Sequence, residues 1–348
     1  MARPLLESTS HGLYCPEGDF HVDPTRPAER AVITHAHADH ARPGHGAYFA
    51  AAPGLGVLRK RIGDGAPIHA FDYGQSFDFG PVRVSLHPAG HLLGSAQVRL
   101  ERADAGQSEV WVVSGDYKTD PDPTCAPFQP IPCDVFITES TFGLPVYRWP
   151  DQAAVFDAIN DWRRANRRRG RTSIIYAYAL GKAQRVLAGL DPGVGPILLH
   201  GAVHAMTELY RDAGVDLPPA DHATDERAGA LRGEATVIAP PSANGSAWAR
   251  KFNPLATAFA SGWMAVRGAR RRRAVDRGFV LSDHADWPGL LHAIEATGAS
   301  RVGVTHGFVD PLVRWLREAG LDAFAMPTRF EARDEDGPPP GHDAGEAE

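Results

Sequence analysis

A chain of 348 residues, 43% hydrophobic and 22% charged, has the balance of a globular protein and the length for one large core or two modest ones. It contains no apolar run near the roughly eighteen residues that cross a bilayer, no secretion signal in MARPLLESTSHGLYC, and three cysteines (Cys15, Cys125, Cys133) without a C-x-x-C pair. A membrane partner, a disulfide framework and a cysteine-rich zinc site are therefore excluded, and a cytoplasmic location is expected. The formal charge of −6 arises wholly in residues 331–348, where seven acids face one base. With Pro338–Pro340 and almost no large apolar residue, this tail is expected to be disordered. An acidic substrate is thus compatible with the remainder.

Ala31-Val32-Ile33-Thr34 is a short β-branched run suited to a strand. It leads directly into His35-Ala36-His37-Ala38-Asp39-His40, four metal-capable side chains in six residues. A loop at a strand end can turn such side chains toward one point, whereas a helix spreads them around its axis. Neutral imidazoles with carboxylates suit zinc, manganese or iron. A lone histidine here would read as a solvated turn; three with an aspartate do not. The pattern recurs: Val82–Leu86 precedes His91, Val110–Val113 precedes Asp116, and Val135–Thr138 precedes Glu139.

The middle of the chain alternates. Residues 151–170 predict an amphipathic helix with Ala154, Phe156, Ile159 and Trp162 on one face, and with Arg163, Arg164, Arg167, Arg168 and Arg169 as a solvated run. A strand over Ser173–Tyr178, a helix over Gly181–Leu190, and strands at Ile197–Leu199 and Thr236–Ala239 follow, which implies an α/β unit. His200 and His204 are read as structural, since Gly201 interrupts the helix and no third partner is evident. Gly278–Leu281 then precedes Ser282-Asp283-His284, and Arg301–Thr305 precedes His306. Every candidate ligand follows the C-terminal end of a predicted strand, where open α/β sheets assemble their sites.

The order H-x-H-x-D-H, His, Asp and a distant His resembles the metallo-β-lactamase fold. Glu139 in Thr138–Gly143, with His284 and His306 downstream, resembles its β-CASP nuclease branch, as does Tyr178-Ala179-Leu180-Gly181-Lys182-Ala183-Gln184. Gly115–Lys118, Asp122–Cys125, Ser261–Met264 and Ser282–Trp287 are similar to the bacterial ligase-associated DNA exonucleases. The resemblance runs over about residues 5–330. It implies an αββα sandwich with an inserted β-CASP-like α/β domain. Residues 1–145 and 275–330 would form the discontinuous catalytic domain and 146–274 the insert.

The same resemblance implies two divalent metal ions, Zn2+ or Mn2+. His35, His37 and His91 would hold the first, and Asp39, His40 and His306 the second, with Asp116 bridging. Asp39, Glu139 and His284 would act in catalysis. Asp283 and Asp286 are expected only to cap turns. The activity implied is phosphodiester hydrolysis by a DNA exonuclease, preferring single strands, in repair beside an ATP-dependent DNA ligase and a helicase. Lys182, Arg270, Arg271 and Arg272 are the expected nucleic-acid contacts, Lys182 because it opens a helix after a glycine. The alternatives are an RNA-processing nuclease of the same fold and a hydrolase of small esters or thioesters. A purely structural metal site is disfavoured, since such sites are closed and cysteine-rich.

Overall fold

The structure is a computed structural model and describes residues 4–104, 107–266 and 274–327; the tail at 331–348 and Arg270, Arg271 and Arg272 lie outside these. Its α/β architecture contains three sheets. The first takes its strands in chain order: β1 (Glu7–Thr9), β2 (Gly12–Cys15), β3 (Phe20–Val22), β4 (Arg30–Val32), β5 (Ala47–Ala51) and β6 (Ile68–Phe71). Helix α1 (Leu55–Ile62) connects the last two.

The second sheet begins with β7 (Ser76–Phe79), β8 (Val82–Pro88), β9 (Ala96–Asp104) and β10 (Gln107–Val113), all antiparallel, then β11 (Val135–Ser140), parallel to β10. From there the chain builds a third sheet with every pair parallel. Its strands are β12 (Thr172–Tyr176), β13 (Ile197–Leu199), β14 (Asp221–His222), β15 (Thr236–Ala239), β16 (Leu255–Ala260) and β17 (Arg277–Phe279), in the order β14-β13-β15-β12-β16-β17. Helices α2 (Gln152–Arg168), α3 (Lys182–Ala188), α4 (Gly201–Asp212), α5 (Asp225–Ala230) and α6 (Ala247–Arg250) accompany it. After α7 (Trp287–Thr297) the chain returns to the second sheet as β18 (Arg301–Gly307), beside β11, and ends with α8 (Val309–Glu318) and β19 (Asp322–Ala325). The third sheet therefore extends to Phe279, five residues past the expected end of the insert.

Strand alternation sorts the central side chains. Trp111, Val113, Val135 and Ile137 turn toward a core shared with Leu13, Phe20, Val22 and Val32 of the first sheet. Val112 and Phe136, one position out of phase, turn to the opposite face and meet Leu290 and Ile294 of α7 and Leu312 and Leu316 of α8. With both faces covered, β11 is buried along its whole length, and its apolar run is the consequence. The outer face of the first sheet joins α1, α3 and the third sheet in another core containing Ile33, Leu58, Val186 and Ile175.

Helix α2 differs from expectation. Its buried face carries Val155, Ile159, Asn160, Arg163 and Asn166, while Ala154 is exposed. Arg163, read as solvated, is buried because its guanidinium donates to Thr236 Oγ1 (2.8 Å), Asn160 Oδ1 (2.7 Å) and the Asp191 carbonyl (3.0 Å). These bonds compensate its removal from water.

Phe136 is fully buried between β11 and the two helices. Phe136→Ala is expected to cost about 3–5 kcal/mol, the range for a large aromatic removed from a packed core. Urea unfolding would register this as a lower midpoint at unchanged slope; a loss below about 1 kcal/mol would contradict this packing.

Candidate metal centre

The loop after β4 is anchored before its ligands begin. Asp23, following β3, accepts from the Thr34 amide (2.8 Å) and hydroxyl (2.5 Å), and the Thr34 carbonyl accepts from the Ala96 amide (2.7 Å). Gly115 packs so closely on Thr34 that an added Cβ would lie 2.7 Å from its side chain, at φ +56. Only glycine meets both demands, and this brings Asp116 beside the histidine loop.

The side-chain atoms then converge. His37 Nδ1 lies 3.2 Å from His35 Nε2 and 3.2 Å from His91 Nε2. Asp116 Oδ2 lies 3.6 Å from His35 Nε2, 3.9 Å from His91 Nε2 and 3.5 Å from His40 Nε2. His35, His37, His91 and Asp116 can each offer one ligand atom with all four atoms within 4.8 Å of one another. Tetrahedral zinc with Zn–N bonds of about 2.0–2.1 Å sets nitrogen pairs about 3.3 Å apart, so this donor set fits a divalent ion. Asp39 Oδ2 is 3.6 Å from His40 Nε2, and the His306 ring lies 6.4 Å from that of His40, centre to centre.

The outer nitrogen of each imidazole is also engaged, which sets which nitrogen faces inward. His40 Nδ1 meets Asp23 Oδ2 at 2.7 Å and His35 Nδ1 meets Thr34 Oγ1 at 3.1 Å. His91 Nδ1 donates to the Asp283 carbonyl (2.8 Å) and His37 Nε2 to the Leu180 carbonyl (3.2 Å). Burial and the neighbouring histidines hold His35 and His91 well below the ordinary imidazole value; burial also lowers His37. All three thus favour the neutral imidazole that a metal ion would require. Burial, with Glu139 nearby, pushes Asp116 up to about 6. Such a crowded carboxylate gains from a cation. For His40, burial opposes the charge, but Asp116, Asp39 and Asp23 outweigh it and raise the ring well above its usual value.

Beside this cluster, His284 Nδ1 lies 3.0 Å from both oxygens of Glu139. Glu139 Oε1 also accepts from the Tyr117 amide at 2.8 Å. Burial disfavours the His284 cation, yet Glu139 raises the ring to about 10. Its Nε2 lies 4.0 Å from Asp283 Oδ1, and His284 belongs to two further groups of potential ligands, one with Asp116 and Glu139 and one with His91 and Asp283.

Of the seven expected ligands, four converge within 4.8 Å, while His40 adjoins Asp116, Asp39 adjoins His40, and the His306 ring lies farther off. Glu139 and His306 sit within β11 and β18 rather than after them. Lys182 requires correction: it is only 2% exposed, its amine lies 3.1 Å from Asp283 Oδ1 and 4.7 Å from the Tyr178 ring centre, and it presents no solvent-facing charge for phosphate. Asp283 is likewise no turn cap but a buried carboxylate paired with Lys182, whereas Asp286 does cap α7 through the Gly289 amide (2.9 Å). Asp23 was missed; its only signal was a carboxylate directly after a three-residue strand.

No family model matches the chain. It is 34% identical over 321 residues to a protein from Opitutus terrae named "Probable DNA ligase", covering 91% of this chain and 30% of that one. A 154-residue stretch is 30% identical to transcription termination factor FttA of Pyrococcus abyssi, covering 40% of this chain and 22% of that one. A 129-residue stretch is 31% identical to endoribonuclease YSH1 of Gibberella zeae, covering 36% and 14%. The chain thus spans less than a third of the length of each of these curated relatives. A crystal structure of a protein of unknown function from Enterococcus faecalis shares the fold, with TM-score 0.54 at 12% identity over 79% of this chain and 74% of that one.

Asp23 touches no metal position, yet it holds both His40 and Thr34. Asp23→Ala is expected to weaken divalent-metal retention about 10–100-fold, the usual consequence of losing a carboxylate behind a ligand histidine. Competition with a chromophoric chelator would measure it, and wild-type affinity in the variant would remove Asp23 from the site.

Proposed function

We propose that this chain is a metal-dependent phosphodiesterase of the metallo-β-lactamase type, a DNA exonuclease acting on single strands beside an ATP-dependent DNA ligase and a helicase in repair. The observation that carries this reading is the convergence of His35, His37, His91 and Asp116, with His40 and Asp39 adjoining, next to the buried Glu139–His284 pair. The likeness to a ligase-named protein over 91% of the chain, and to an endoribonuclease over part of it, supports a nuclease of this type. The catalytic unit would comprise 1–145 and the segment from about residue 280 onward, since β11 pairs with β18 across the intervening segment and β17 belongs to the third sheet. The third sheet would form the opposite wall of a cleft.

In this reading His35, His37 and His91 would hold one ion and Asp39, His40 and His306 the other, with Asp116 available to both. Two divalent ions, Zn2+ or Mn2+, would neutralise phosphate charge and lower the pKa of water. The chain's own groups do the rest. Asp39, less enclosed than Asp116, can accept a proton from the attacking water and orient it. Glu139 fixes His284 through Nδ1 and keeps it protonated, so Nε2 can deliver a proton to the leaving oxygen. Charge neutralisation and a placed proton donor suit a phosphodiester, whose leaving alkoxide needs protonation. A simple ester or thioester hydrolase would have less use for the Glu139–His284 pair. The competing RNA reading is favoured by one observation, the similarity to endoribonuclease YSH1.

His37→Ala is expected to lose stoichiometric metal and all metal-dependent hydrolysis. His284→Ala should keep its metal while losing about 10²–10⁴-fold in rate, as for a general acid. Metal analysis of both variants separates the roles: metal loss from the His284 variant would make that residue a ligand. End-labelled DNA and RNA of matched sequence, single- and double-stranded, with Zn2+ or Mn2+, test the substrate. Faster cleavage of RNA under every condition would refute the DNA assignment.

A further inference from the structure

The second sheet and the histidine loop supply the ligands, but two of those ligands are held from outside. The carbonyl that takes His37 Nε2–H belongs to Leu180, two residues before Lys182, the first residue of α3. The carbonyl that takes His91 Nδ1–H belongs to Asp283, beyond β17 of the third sheet. Both carbonyls would be loose without support, because a loop carbonyl is only as well placed as its own backbone.

Helix α3 supplies that support. Gly181, at φ +85, turns the chain into the helix, and its amide donates to Gln184 Oε1 at 2.8 Å. Lys182 and Arg185, three residues apart and therefore on one face, both reach the segment that ends in His284. The Lys182 amine pairs with the Asp283 carboxylate at 3.1 Å, with both side chains 2% exposed. The Arg185 guanidinium donates to the Ser282 carbonyl and pairs with Asp122, which is itself fixed by the Thr124 amide at 2.7 Å. Asp283 then presents its carbonyl to His91, and the next residue, His284, presents its ring to Glu139.

We infer that Lys182 and Asp283 are positioning residues for the metal centre: their buried ion pair fixes the Asp283 carbonyl on His91 and, through the start of α3, the Leu180 carbonyl on His37. This rests on the metal-centre reading above.

The pair makes an unusual demand that a test can exploit. Lys182 is a cation near a site proposed for cations. If it acted only through its charge, removing it would tighten divalent-metal binding. If it positions Asp283, removing it weakens binding, because His91 and His37 lose their orientation and Asp283 loses its nearest cation. The sign of one measured change therefore separates the two roles.

The experiment uses the full chain as Lys182→Met, Asp283→Asn, Lys182→Arg and the Lys182→Met/Asp283→Asn double variant. Zn2+ and Mn2+ affinities are measured by competition with a chromophoric chelator, stoichiometry by metal analysis, and folding by circular dichroism and thermal unfolding. The two single variants should each bind about 10–100-fold more weakly at unchanged stoichiometry. Lys182→Arg, which preserves the pair, should stay within about threefold of wild type. The double variant, which leaves no unpaired buried charge, should bind more tightly than the two single losses combined would give. Folded Lys182→Met with equal or tighter binding overturns the proposal. Should Lys182→Met fail to fold, Asp283→Asn decides: a folded Asp283→Asn variant that binds either metal with wild-type affinity overturns the proposal. A wild-type protein that binds neither metal would instead sink the metal-centre reading itself.

Discussion

An imidazole can serve as a ligand only if its inward nitrogen carries a lone pair, and which nitrogen does so is set by the hydrogen bond on the other side. Here His35, His37, His40 and His91 are each tied through the outward nitrogen to a different partner: a hydroxyl, a backbone carbonyl, a carboxylate and a second carbonyl. Those partners come from the residue preceding His35, from the edge of α3, from the end of β3 and from the segment after β17. The rest of the structure is arranged so that these four attachments can coexist. Burying this many polar groups is tolerable because nearly every outward atom is satisfied, and the crowded inward atoms then favour a cation.

The fold meets that requirement by bringing distant segments together. The first two sheets share one core and so bring the ends of β4, β8 and β10 to one place. Glycine at position 115 lets the Asp116 loop approach Thr34 without a Cβ between them. The third sheet packs on the outer face of the first, through a core that includes Ile33 and Val186. That contact carries α3 to the rim of the histidine cluster. From there the Leu180 and Asp283 carbonyls meet His37 and His91.

Charge within the cluster is divided in a way that fits hydrolysis. Burial and neighbouring histidines lower His35 and His91, burial lowers His37, and Glu139 raises His284. Two histidines in one site with opposite tendencies serve two different purposes. The difference lies in their hydrogen-bond partners: Glu139 reaches His284 through both oxygens, while His91 Nδ1 meets a backbone carbonyl.

The amino-acid order alone pointed to the candidate cluster, because metal-capable residues after successive β-branched runs form a local signal that needs no packing information. It also disclosed the alternation of strands and helices in the middle of the chain. Three things became visible only in three dimensions. Asp23 follows a strand of three residues, too short for periodicity to register, and its role exists only because β3 lies beside β4. Lys182 at a helix start looks the same in sequence whether it faces solvent or Asp283, a partner about a hundred positions away. Arg163 belongs to a run of arginines that is mostly exposed, yet Thr236 and Asp191 draw it inward. Sequence determines which chemistry is available, since residue types and local spacing are intrinsic to the chain. Tertiary structure decides which polar groups are paired and which are presented, since pairing depends on neighbours that only packing supplies.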